Sequence, residues 1–159
     1  MRITSPAFED GQRIPKPYTE DGNNISPPLR FADVPANATE LALIVDDPDA
    51  PRDDPFVHWT LYKIPVDIDA LAENLPRGAD ELRKPAGALQ GRNSFSKHNI
   101  GYRGPAPPKG HGVHHYHFRL YALDRPLVLA AGVERDALDE AMRGRVLART
   151  ELVGTYERH

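Results

Sequence analysis

Cysteine is absent from the 159-residue sequence, which excludes disulfide bonds, thiolate metal sites and a cysteine nucleophile. No apolar run reaches about 18 residues, so no transmembrane segment is predicted. The amino terminus has neither the apolar stretch nor the cleavage pattern of a signal peptide, and we expect a cytoplasmic protein. The formal net charge of -3 argues against a nucleic-acid or anionic-membrane partner, because both need a strong basic excess.

Proline, by contrast, is abundant: the chain has 16, which is about twice the ordinary usage of roughly 5%. Prolines end helices and are excluded from central strands, so they indicate short elements joined by shaped loops. The length and the composition, 40% hydrophobic and 27% charged, are typical of one globular domain. We therefore predict a single domain over residues 1–159.

Strand patterns dominate the chain. Apolar or alternating runs predict strands at residues 41–47, 56–64, 113–123 and 151–156. A short helical turn is expected near residues 69–73, and residues 76–112 form a long Gly/Pro/Asn-rich loop. A helix is predicted over residues 134–147, with one apolar face formed by Leu138, Ala141, Met142 and Val146.

Acidic residues follow the first apolar strand, in the segment Asp46-Asp47-Pro48-Asp49. By the period of two, Asp47 continues the face of Leu43 and Val45, where a carboxylate is costly unless it is paired. The alternative is a turn-forming Asp-Pro pair with solvated carboxylates. The segment alone does not separate these two interpretations.

Histidines concentrate on two predicted strands. His58 lies among large apolar neighbours, where a lone histidine is more often a satisfied core residue than a ligand. On the later strand, His114 and Tyr116 share the face of Phe118, so they should lie at the edge of the core. The other face, with His115, His117 and Arg119, is predicted to be solvated.

Several kinds of active site lack support in these patterns. Zinc accepts His and Asp ligands, but the clustered histidines divide between two strand faces and no H-E-x-x-H helix is present, so no metal or other cofactor is predicted. The sequence has no G-x-S-x-G, P-loop or G-x-G-x-x-G motif. An Asp-His pair could serve acid-base chemistry, yet no candidate nucleophile stands beside it, and no catalytic residue is assigned.

Several motifs together resemble the phosphatidylethanolamine-binding protein family, in particular its bacterial YbhB/YbcL-like (Raf kinase inhibitor-like) branch. They occur in the order that the family shows and span almost the whole chain. Their sequences are Asp21-Gly22-Asn23-Asn24-Ile25-Ser26-Pro27-Pro28-Leu29, Asp47-Pro48-Asp49-Ala50-Pro51, the His58 strand, Gly104-Pro105-Ala106-Pro107-Pro108-Lys109-Gly110, Gly112-Val113-His114-His115-Tyr116 and Leu152-Val153-Gly154-Thr155-Tyr156.

This sequence departs from the family pattern at two positions. His115 replaces the usual Arg of G-x-H-R-Y; because it lies on the outward face, the pocket should survive. Ala106 stands where many bacterial members have Cys, which removes only a thiol.

The resemblance implies a mainly β fold, an antiparallel β-sandwich with Greek-key links, to which we add the helix predicted near the carboxyl end. It also implies a small anion pocket, a cis-proline near that pocket, and a homodimer as a plausible assembly. Asp49 and Pro51 are expected to brace a loop rather than touch the ligand. The implied ligand-binding residues are Asp47, His58, Ala106, Pro107, Gly110, His114 and Tyr116.

The resemblance favours a non-enzymatic protein that binds phosphate-like anions or phospholipid head groups. Backbone N–H groups near Gly110 and Gly112, the Tyr116 hydroxyl and a protonated His58 or His114 could meet the anion. Asp47 would hold a histidine protonated and oriented. The alternatives are a regulator that binds a kinase or protease and, with less support, a hydrolase that uses Asp47 and His114.

Overall fold

Two antiparallel sheets form the fold in the computed structural model, which describes residues 1–96 and 99–159. The smaller sheet has the order β1-β2-β5, from Arg2–Thr4, Leu29–Ala32 and Ala70–Leu71. The larger has the order β6-β4-β3-β7-β8. Its strands are β3 (Glu40–Asp47), β4 (Phe56–Pro65), β6 (Leu89–Gln90), β7 (His114–Leu123) and β8 (Val146–Tyr156).

The larger sheet contains a Greek key. Within this sheet, β3, β4 and β6 follow one another along the chain, with β5 of the smaller sheet between β4 and β6. Strand β7 then returns to pair with β3 on the side away from β4. The spatial order β7-β3-β4-β6 is the arrangement that defines this motif. The predicted antiparallel β-sandwich with Greek-key links is therefore confirmed.

Strand β3 is buried on both faces, which explains its continuous apolar run. Leu41, Leu43 and Val45 join the core between the two sheets. Ala42 and Ile44 face a second core on the opposite side, which the helix α1 (Arg135–Met142) completes with Leu138 and Met142. Every residue of β3 after Glu40 is buried.

The predicted helix over residues 134–147 is too long. It ends at Met142, because Gly144 adopts a left-handed φ of 74° and the chain then enters β8 at Val146. Val146 pairs with Leu123 of β7 rather than extending the helical face. The last strand is correspondingly longer than the predicted residues 151–156, because pairing with β7 overrides the local helical pattern.

Two further sequence predictions need correction. The helical turn expected near residues 69–73 is wrong: Ala70–Leu71 forms β5, which pairs with β2 and buries Leu71. The stretch 76–112 is not all loop, because it contributes β6 to the edge of the larger sheet. No helix in residues 1–96 and 99–159 is long and apolar enough to cross a membrane.

Candidate functional site

Three neighbouring strands bring the predicted site residues together. Asp47 ends β3, whereas His58 lies near the start of β4 and His114 begins β7. Because β3 lies between β4 and β7 and all pairing is antiparallel, the end of β3 and the starts of β4 and β7 lie side by side at the same end of the sheet. They open into a cavity of about 570 Å³ lined by Asp47, Ala50, Pro51, Arg52, Phe56, His58, Phe95, Ala106, Pro107, Pro108, His114 and Tyr116.

The carboxylate of Asp47 is paired rather than solvated. Its Oδ2 atom lies 2.6 Å from Nδ1 of His114, and both side chains are almost fully buried. Oδ1 of Asp47 accepts a hydrogen bond of 2.8 Å from the backbone N–H of Asp49. A carboxylate acceptor requires a proton on Nδ1 of His114, so Asp47 fixes the orientation of that ring.

His111 extends the Asp47–His114 pair towards the surface. Nδ1 of His111 lies 2.6 Å from Nε2 of His114, and the two ring centroids are 4.9 Å apart. The neighbours of His111 in the chain, Gly110 and Gly112, both adopt left-handed φ values, of 73° and 92°. These two glycines permit the backbone bend that carries the exposed His111 to the buried His114.

His58 has one occupied and one available ring nitrogen. Its Nδ1 atom lies 2.6 Å from the carbonyl oxygen of Arg103, so Nδ1 carries the proton. Burial lowers the pKa of His58 more than this carbonyl and the charge of Asp47 raise it. His58 is therefore neutral at pH 7 and Nε2 is an acceptor, which corrects the expectation of a protonated His58.

Aromatic rings form one wall of the cavity. Phe56 makes an edge contact with Phe95 at a centroid distance of 4.8 Å, and His58 contacts Tyr116 edge-on at 5.2 Å. Burial, followed by the charge of Asp47, raises the pKa of Tyr116. Tyr116 therefore keeps its phenolic proton and can donate a hydrogen bond.

Asp49 lies outside the cavity and links the loop after β3 to the start of β7. Its Oδ2 atom accepts hydrogen bonds of 2.8 Å from both the backbone N–H and Nδ1 of His115. Although burial raises the pKa of Asp49, the hydrogen bonds from His115 outweigh it, and the net pKa is lowered. The bracing role of Asp49 stays a prediction. Pro51, for which the same role was expected, lines the cavity.

The proline-rich loop lines the cavity with Pro108 in addition to two of its three predicted residues. Ala106 and Pro107 line the cavity, but Gly110 does not. The backbone N–H of Gly110 donates to the carbonyl oxygen of Arg158 at 2.9 Å, so it is not available to an anion. Among the described residues the one cis peptide bond joins Lys84 to Pro85, which do not line the cavity. The expectation of a cis-proline near the pocket is therefore wrong.

The opposite face of β7 is not simply solvated. The Arg119 and Arg135 guanidinium groups lie 3.1 Å and 2.5 Å from the carboxylate of Asp46, whose side chain is 1% exposed. Glu151 also contacts Arg119 at 3.0 Å, and His117 at 3.2 Å. This layer of charges was missed because it depends on the pairing of β3, β7 and β8 and on the packing of α1 against them.

Five residues that line the cavity were not among the predicted site residues: Ala50, Arg52, Phe56, Phe95 and Pro108. Phe56 shares a strand face with His58 at the period of two, so alternation could have identified it. Ala50 lies in the acidic motif and Arg52 directly follows it, but nothing in the sequence distinguishes them. Phe95 comes from the long loop and carries no sequence signal. Within residues 1–96 and 99–159, no group of three or more His, Asp or Glu side chains is placed to hold a metal.

Comparisons with known proteins give the family of the chain. The family model described as phosphatidylethanolamine-binding protein matches residues 4–157. A UPF0098 protein of Methanothermobacter thermautotrophicus is 49% identical over 158 residues, which cover 99% of each chain. A UPF0098 protein of Pyrococcus abyssi is 46% identical over 158 residues, covering 99% of this chain and 86% of the relative.

Two solved structures have the same fold over nearly their whole length. A phosphatidylethanolamine-binding protein homologue from Chlamydia trachomatis is 42% identical with a TM-score of 0.86, covering 99% of this chain and 97% of that one. Escherichia coli YbcL, described as a member of the mammalian family, is 29% identical with a TM-score of 0.89, covering 99% and 98%. The chain belongs to the phosphatidylethanolamine-binding protein family.

Proposed function

We propose that this protein binds small phosphate-like anions, including phosphorylated head groups, and that it does not catalyse a reaction on them. The observation that carries the proposal is the cavity of about 570 Å³ in which Asp47, His58, His114 and Tyr116 converge. Concave sites with mostly apolar walls and a few convergent polar groups are typical of small-molecule binding.

The polar groups suit a protonated phosphate. Tyr116 donates a hydrogen bond through its phenol, whereas Nε2 of neutral His58 accepts one. A phosphate monoanion has both acceptor oxygens and one hydroxyl, so it can satisfy both residues. The apolar walls, which include Phe56, Phe95 and Pro107, leave room for the carbon stem of a phosphate ester.

The lining argues against a hydrolase. Asp47 and His114 are arranged as an acid-base pair, but the described lining contains no serine or threonine hydroxyl for that pair to activate. The one hydroxyl present, on Tyr116, has a raised pKa and is therefore a weak nucleophile. This chemistry favours binding over turnover.

A calorimetric or NMR titration with phosphorylethanolamine tests the proposal. We expect saturable binding by the wild type and loss of binding in His114→Ala. Because that change leaves the buried Asp47 without its partner, Tyr116→Phe serves as a milder variant, which should weaken binding without unfolding the protein. Failure of the wild type to bind would refute the proposal. Binding of a kinase or protease that survives blocking of the pocket would support a regulatory role instead.

A further inference from the structure

We propose that Arg52 binds the anionic group of the ligand, an inference that rests on the proposed function. The ligand class is then a phosphate ester whose charged end lies at the cavity rim, beside Arg52, and whose stem follows the aromatic wall. Arg52 was not among the residues that the family motifs imply. The argument depends on the charges that line the cavity, on the freedom of the guanidinium and on its position.

Arg52 has the one permanent positive charge among the described residues that line the cavity. The other acidic or basic side chain of the lining, apart from the histidines, is Asp47, whose carboxylate repels an anion. His58 is neutral, and both ring nitrogens of His114 are engaged, by Asp47 and by His111. An anion in this cavity therefore finds its compensating charge at Arg52.

The guanidinium of Arg52 is free to bind a ligand. Neighbouring arginines are paired: Arg103 lies 2.6 Å from Glu20, and Arg92 lies 3.8 Å from Glu134. In residues 1–96 and 99–159, Arg52 has no carboxylate partner, and its guanidinium carbon lies 5.5 Å from the ring centroid of Phe56. This contact holds the charge beside the aromatic wall and leaves its N–H groups for an acceptor.

Arg52 also lies where the cavity adjoins a second cleft, into which a long ligand could extend. It lines a second, polar cleft of about 510 Å³ as well as the site cavity. A phosphate held at Arg52 would direct any further substituent, such as the glycerol of a phospholipid head group, towards this cleft. Arginine suits the role because its planar guanidinium can bind two phosphate oxygens at once, which lysine cannot do.

The test compares Arg52→Ala, Arg52→Lys and Arg149→Ala with the wild type in calorimetric titrations. Arg149 is the matched control: it is exposed, lies opposite Tyr121 on β8, and lines none of the described cavities. Phosphorylethanolamine and glycerophosphorylethanolamine are the two probes. They represent the free head group and the phospholipid source, respectively. Each titration is repeated at about 0.05 M and about 0.3 M NaCl.

We expect the Kd for at least one probe to rise about tenfold in Arg52→Ala, with an intermediate value for Arg52→Lys and no change for Arg149→Ala. The wild-type Kd should also rise with salt more steeply than that of Arg52→Ala. Binding of both probes by Arg52→Ala at the wild-type Kd would overturn the inference and leave the proposed function standing. An equal loss in Arg149→Ala would overturn it too. If the wild type binds neither probe, both proposals fall.

Discussion

Nδ1 of His111 lies 2.6 Å from Nε2 of His114, the ring nitrogen of His114 that does not contact Asp47. Because His114 lines the cavity, its Nε2 atom would otherwise be a natural contact for a ligand. His111 is exposed and His114 is 1% exposed. The contact therefore covers a buried polar atom at the cavity with an exposed side chain.

Replacing His111 should strengthen ligand binding. In His111→Ala, Nε2 of His114 loses a competing partner, and a hydrogen bond of that kind contributes about 1 kcal/mol net, or roughly fivefold in Kd. Titration with phosphorylethanolamine measures the change. Val113→Ala, at an exposed position of the same segment, is the control. Weaker binding by His111→Ala would show that His111 contacts the ligand itself.

Affinity for phosphorylethanolamine should rise as pH falls from about 8 to about 6. The phosphate dianion takes up one proton near a pKa of about 6, and the lowered pKa of His58 keeps Nε2 available as the acceptor for that proton over most of this range. A bound anion also favours the protonated form of a nearby histidine, which raises affinity at low pH in the same direction. The sulfate ester of ethanolamine, which has no second ionisation, separates the two effects. Flat affinity for the phosphate would contradict any role for the histidines.

The histidine titration itself can be followed in the free protein. Because burial disfavours the imidazolium, we expect the His58 ring signals to titrate with a midpoint below 6.5 in NMR spectra. The unfolded chain then binds more protons than the folded one just below 6.5, so the free energy of unfolding falls as pH decreases through that window. A midpoint above 6.5 would contradict the neutral assignment.

The buried carboxylate of Asp46 should matter more for stability than an exposed one. Asp46→Asn removes the charge that pairs with Arg119 and Arg135, and we expect the free energy of unfolding to fall by about 3 kcal/mol. Asp33→Asn is the matched control, because Asp33 pairs with Arg2 where both side chains are about 70% exposed. It should change stability by no more than about 0.5 kcal/mol. Urea denaturation gives both values, and equal losses would refute the distinction.

Strand alternation predicted much of the site. It placed His114 and Tyr116 on the core side of β7, and it identified Asp47 as an acid that needs a partner. Those expectations follow from the period of two, which holds wherever a strand is half buried. The continuous apolar run of β3 likewise indicates that this strand is buried on both faces.

Other features depend on contacts between distant segments and left no local pattern. Gly110 occurs in the expected motif, yet its backbone N–H donates to the carbonyl oxygen of Arg158. Arg158 follows β8, 48 residues further along the chain. Arg52 stands out because no carboxylate within residues 1–96 and 99–159 pairs with it, which only the packed structure reveals. The helix boundary was wrong for the same reason: Val146 fits a helical face, but pairing with β7 decides its conformation.

The strand order of the larger sheet has a consequence for how binding and folding are coupled. Asp47, His58 and His114 meet only when β4 and β7 have both paired with β3, and β7 is separated from β3 by 66 residues of chain between Asp47 and His114. No local subset of the chain can therefore assemble the cavity. A ligand should slow hydrogen exchange throughout the central strands together, rather than protecting one loop, because it stabilises only the globally folded state.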